Sequence, residues 1–172
     1  DNLAIVSRRS KKNSVDPYVP YHFFHELEPG LSGGTERVNS VFLTGRECVF
    51  RCLMCDLWKN TLDGPSPPGA IARQIGYALE RLPEADVIKL YNNGNFFDKK
   101  AIPPAEYPGI AQKLGSYKRV IVENHPRLCD ETCIAFGELL SGKLEIAMGL
   151  ETIHPDVLPR LNKQVTPKNF KT

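Results

Sequence analysis

No apolar run in the 172 residues approaches the roughly 20 needed to cross a bilayer, and no secretory h-region follows the first residues. The expectation is a soluble, cytoplasmic chain with no membrane partner. An excess of one charge is also lacking: 22 Lys+Arg stand against 20 Asp+Glu, for a net charge of +2. That balance argues against an acidic disordered tail and gives no case for charge-driven nucleic-acid binding. Cysteine is scarce, with five in the chain, and an odd number would leave one thiol outside any disulfide framework. Internal repeats and low-complexity segments are absent. What the chain has is 41% hydrophobic residues, enough for one domain with a core, and 14 prolines, which imply many punctuated loops. It begins with Asp1 rather than Met, and we expect it to be a piece of a longer protein.

Residues 1–37 contain a basic run, Arg8, Arg9, Lys11 and Lys12, followed by Tyr18, Tyr21, Phe23 and Phe24 among prolines, without a sustained period. They read as an N-terminal extension with a solvated basic face and aromatics that pack on the domain. From Val38 to Thr172 the pattern changes to short apolar runs separated by helical stripes. Strands are predicted at Val38–Thr44, Asp86–Tyr91, Arg119–Glu123 and Leu144–Leu150. Between them, Pro67 and Pro68 open a helix with Ile71, Ile75, Ala78, Leu79 and Leu82 on one face. Further helices are expected over Glu106–Leu114, over Asp130–Leu140 and from Pro155, the last with Val157, Leu158 and Leu161 inward. Strand-helix alternation implies an α/β fold with a parallel sheet, whose site lies at the C-terminal ends of its strands.

Three cysteines, Cys48, Cys52 and Cys55, fall within eight residues, four residues beyond the first predicted strand. Thiolates are soft ligands suited to iron-sulfur clusters and zinc, and spacings of four and three let one loop wrap one metal centre. Three ligands leave a corner open, whereas structural zinc wants four protein ligands. His22 and His25 could supply an HxxH pair, but they precede the loop by more than 20 residues. Cys129 and Cys133 are spaced i, i+4 and read as buried small hydrophobes. Trp58 reads as a core anchor for the loop.

The segment Glu47-Cys48-Val49-Phe50-Arg51-Cys52-Leu53-Met54-Cys55 resembles the CxxxCxxC loop of the radical S-adenosylmethionine (SAM) superfamily. The resemblance spans about residues 38–166. It implies a partial (β/α) barrel of radical SAM type. It also implies a 4Fe-4S cluster bound by Cys48, Cys52 and Cys55, with SAM chelated at the open iron. Reductive cleavage of SAM would then begin hydrogen abstraction from a substrate, with a flavodoxin or ferredoxin as electron donor. Asn93, Gly94 and Asn95 stand where the family has a Gly-Gly-Glu-like turn at the SAM methionine end, with Asn95 in the place of the common Glu. Met54, before the third cysteine, is expected against the adenine, and Glu151 near the ribose. Glu123-Asn124-His125-Pro126 and Met148-Gly149-Leu150-Glu151-Thr152 are similar to runs in elongator-type and coproporphyrinogen-oxidase-type relatives. That likeness tilts the substrate toward RNA, in tRNA modification. The reading from another class is a non-catalytic zinc or iron-sulfur binding module built on the same cysteines.

A radical SAM barrel generally has six strands and only four are legible here. The natural chain is therefore expected to continue past Thr172, and the fourth strand to leave an uncovered edge near Ile146 and Met148.

Overall fold

The computed structural model describes residues 1–30, 33–92 and 94–170. A five-stranded sheet runs in the order β1 (His22–Pro29), β2 (Thr35–Leu43), β3 (Val87–Asn92), β4 (Arg119–Glu123) and β5 (Lys143–Ala147). The pairs β2–β3, β3–β4 and β4–β5 are parallel and β1–β2 is antiparallel. The sheet is mostly parallel and does not close on itself: β1 and β5 are its edges.

Four of these strands match the expected ones to within a few residues; β1 does not. It comes from the stretch read as an extension, and it turns the expected four-stranded parallel sheet into five strands of mixed direction. Its sequence has no clean alternation because both of its faces are used. Phe23 packs toward Tyr77 at 6.1 Å between ring centroids, and Phe24 stacks on Phe42 at 5.9 Å. β5 stops at Ala147, opposite the last residue of β4, so Met148 and Gly149 leave the sheet. Ile146 is half-buried and Met148 exposed at that edge.

Helices α2 (Ala70–Leu79), α3 (Tyr107–Lys113) and α4 (Glu131–Leu139) pack on one face, and a short α1 (Asn2–Val6) precedes them in the chain. The α2 stripe is as expected: Ile71, Ile75 and Ala78 are fully buried, with Leu79 and Leu82 partly so. Asp130 caps α4 by accepting from the Thr132 N–H at 2.9 Å. The helix expected from Pro155 is only a 3₁₀ turn, Leu158–Leu161, with Leu158 buried and Val157, the residue before it, exposed rather than inward. It ends at Asn162 in a left-handed conformation (φ 53°), which a short amide side chain tolerates.

Strand alternation gives the sheet two unlike faces. Val41, Leu43, Ile88, Leu90, Val120 and Val122 point to the helices and are fully buried. The opposite face carries Phe42, Lys89, Tyr91, Arg119 and Glu123 by the same alternation. No helix among the described residues is long and apolar enough to cross a membrane.

Candidate functional site

The cysteine loop leaves the C-terminal end of β2 and is held before the first thiol is reached. Gln74, buried on α2, accepts from the Thr44 N–H at 2.7 Å and donates to the Thr44 carbonyl at 2.7 Å and the Pro17 carbonyl at 2.6 Å. One amide therefore satisfies both backbone groups at the strand exit. Glu47 then gathers three cations, Arg9 at 2.7 Å, Lys12 at 3.0 Å and Arg51 at 3.2 Å. Trp58 is buried under the Arg9 guanidinium, 4.8 Å from the ring centroid, and anchors the loop as expected. On the far side Leu53 donates to the Leu161 carbonyl at 2.8 Å, and the Asn162 amide donates to the Arg51 carbonyl at 2.7 Å. An irregular loop thus has its backbone tied from three directions.

Cys48, Cys52 and Cys55 line one cavity of about 290 Å³, and Met54, Gly94, Asn95 and Glu151 line it with them. Asn93 lies outside the described residues. A Cβ at Gly94 would come 2.9 Å from the Arg46 carbonyl oxygen, so only glycine lets the turn after β3 lie against the cysteine loop. The Asn95 amide donates to the Cys48 sulfur at 3.1 Å and its oxygen accepts from the His125 N–H at 2.8 Å. Asn95 is thereby committed to a thiol, where a carboxylate would oppose a thiolate. Met54 is exposed at the rim. Glu151 is exposed with a positive φ of 68°, a strained backbone for a residue with a side chain, and it pairs with Lys163.

Burial raises the Cys48 thiol above its ordinary pKa, opposed by donation from the Phe50 N–H and the Asn95 amide. Cys52 is pushed up to about 11 by burial and then by the neighbouring Cys48 and Cys55. Cys48 and Cys52 thus resist ionising unless a cation compensates them. Glu123, at the end of β4, is raised by burial, with Lys163 opposing and Glu151 adding. His125 stacks on Phe50 at 3.6 Å, accepts at Nδ1 from the Arg127 N–H at 3.2 Å, and has Nε2 2.8 Å from the Lys163 carbonyl. Those partners define a neutral ring with its proton on Nε2, and burial lowers its pKa. Both nitrogens are spent on structure.

Cys129 and Cys133 do not share a helix: Cys129 precedes α4 and is exposed, 3.7 Å from the Met148 sulfur, while Cys133 is buried in it. The burial expected of the pair holds for Cys133 alone. Among the described residues, no three His, Cys, Asp or Glu side chains converge tightly enough to hold one metal ion as they stand. Lys163, Phe50 and Glu123 line the cavity without having been singled out for it. For Glu123 a signal existed, a carboxylate closing a strand of a parallel sheet at the end where sites form.

No family model matches the chain. An uncharacterized protein of Methanocaldococcus jannaschii is 26% identical over 126 residues, which are 67% of this chain and 34% of that protein. The chain therefore spans about a third of the length of the curated relative it matches. No solved structure matches it.

Proposed function

We propose that the chain is the cysteine-bearing part of a radical SAM enzyme, built on a partial (β/α) barrel of that type. The observation that carries the reading is the convergence of Cys48, Cys52 and Cys55 with Gly94, Asn95 and Glu151 on one cavity at the C-terminal ends of parallel strands. The donor set fits a 4Fe-4S cluster. It consists of three soft sulfurs, while the next cysteine, Cys129, does not line the cavity and the pocket's histidine has both ring nitrogens engaged. When bound, the cluster and SAM supply reductive cleavage as the start of hydrogen abstraction from a substrate, with the electron delivered by a flavodoxin or ferredoxin.

The chain's own residues do the positioning. Gln74 and Glu47 fix where the loop begins, Asn95 hydrogen-bonds a ligand sulfur and so tunes its donor strength, and Gly94 keeps the turn close to the loop. Glu151, paired with Lys163, stands at the cavity wall as the polar residue for the SAM ribose.

The test is anaerobic reconstitution with iron and sulfide. About four irons per chain are expected, with Cys52→Ala losing them and Asn95→Asp holding fewer, because it sets a negative charge against Cys48. Adding SAM to the reduced protein should change its electron paramagnetic resonance spectrum. Stoichiometric zinc with no iron in anaerobic preparations would instead establish the metal-binding module.

A further inference from the structure

A second cavity, of about 460 Å³, opens beside the first on the face of the sheet turned away from α2, α3 and α4. Leu57, Glu123 and Gly149 line both cavities, which are therefore contiguous. Its wall is aromatic. Phe42 lies 5.5 Å from Tyr21 at 66° and 5.5 Å from Tyr91 at 59°, and Phe24 supports Phe42 from the side, stacked at 5.9 Å. These rings come from the β1 end, β2 and β3, so the sheet register holds them side by side. At the boundary with the cysteine cavity stands the Glu123 carboxylate, with Glu151 beyond it and Lys163 already paired to Glu151.

We propose that this second cavity is a binding chamber for a planar heteroaromatic ring bearing N–H donors, held against Phe42 and Tyr91 with its donor edge on Glu123. A flat ring gains offset or edge-to-face contacts with Tyr21, Phe42 and Tyr91 that an aliphatic chain of equal area forgoes. An ionised carboxylate offers only acceptors and can take two N–H groups from one edge. An anionic ligand would face the Glu123 carboxylate and be repelled. A ring seated with its donor edge on Glu123 has that edge at the boundary of the cysteine cavity, the position a substrate of the proposed enzyme requires. The inference rests on the proposed function for what is done to the ring, and on the chamber alone for its binding.

The experiment is calorimetric titration of the purified protein with three probes: 2-aminobenzimidazole, the donor-free bicycle 2-methylbenzothiazole, and the non-planar cation cyclohexylamine. The aminobenzimidazole should bind about tenfold more tightly than either of the others, the factor expected of one charge-assisted hydrogen bond or one ring contact. Phe42→Leu and Tyr91→Leu should each weaken it about tenfold. The near-isosteric Glu123→Gln should abolish its advantage over the benzothiazole while leaving the benzothiazole unchanged, a pattern that misfolding does not produce. Cyclohexylamine binding equally well, an unchanged preference in Glu123→Gln, or no binding of any probe up to about 10 mM would overturn the chamber.

Running the titration on the unsubstituted protein beside its anaerobic reconstitution with iron and sulfide separates the two readings. Ring binding in a protein that takes up no iron leaves the chamber standing and removes the enzyme reading. Normal iron uptake without ring binding does the reverse. Cytidine against a cytidine hexamer tells a free ring from one carried on a strand, the tighter binder naming the source, and failure of both while 2-aminobenzimidazole binds restricts the class to rings that carry no sugar.

Discussion

On the helix-covered face of the sheet, Val41, Leu43, Ile88, Leu90, Val120 and Val122 are buried and contact α2, α3 and α4. On the other face the same strands carry ions and rings. Lys89 pairs with Glu28, and Arg119 bridges Glu36 at 3.0 Å and Glu145 at 3.5 Å, while Phe42, Tyr91 and Glu123 stand nearer the C-terminal ends. Apolar burial stabilises in proportion to area and needs no partner of defined geometry. Half-buried charges contribute little net stability and demand particular partners. The first face therefore accounts for the folding of the domain and the second for what it can hold.

The largest expected effect is on the covered face. Leu90→Ala should lower unfolding stability by about 2–5 kcal/mol in denaturant titrations. A loss below about 1 kcal/mol would mean that this face does not carry the fold. Next comes the junction between the faces and the loop. Gln74→Leu leaves the Thr44 N–H and C=O buried without their partner, which should cost about 1–3 kcal/mol for each stranded group and loosen the cysteine loop. Its signature is lowered iron uptake beyond that of Leu90→Ala compared at equal folded fraction.

The smallest effect is expected on the open face. Lys89→Met should change stability at neutral pH by no more than about 1 kcal/mol, because the pair it breaks is partly solvated. Its pH dependence is more telling. The hydrogen bond from Lys89 holds the Glu28 carboxyl below its ordinary value, with burial opposing. A depressed carboxyl pKa stabilises the fold above the ordinary carboxyl value and loses that contribution as pH falls through the lowered folded value. The wild type should therefore lose more stability on acidification than Lys89→Met. Parallel acid curves would show that the ion pair contributes nothing.

Legibility differed in the same way between the two faces. The α2 stripe and the cores of β3 and β4 could be read because apolar residues recur at the period of the element that buries them. β1 escaped because a strand with aromatics on both faces has no alternation. The helix expected from Pro155 has the right apolar residues but is cut short at the left-handed Asn162, which instead braces the cysteine loop. Cys48, Cys52 and Cys55 stood out through spacing alone. Glu123 carried only the weaker signal of closing a parallel strand, and Lys163 and the aromatic wall carried none, since each is an ordinary residue until the chain is folded.

Local order in the chain therefore determined the α2 stripe, the cores of β3 and β4, the thiol loop and its place after a strand, all of which depend on neighbours within a few residues. Only the tertiary structure decided that the strand from 22–29 would join the sheet, that Gly94 would meet the backbone of Arg46, and that Tyr21, Phe42, Tyr91 and Glu123 would surround one cavity. Those juxtapositions arise from strand pairing and register across up to about a hundred residues of chain, and a contact set by register has no signature in the spacing of the residues that make it.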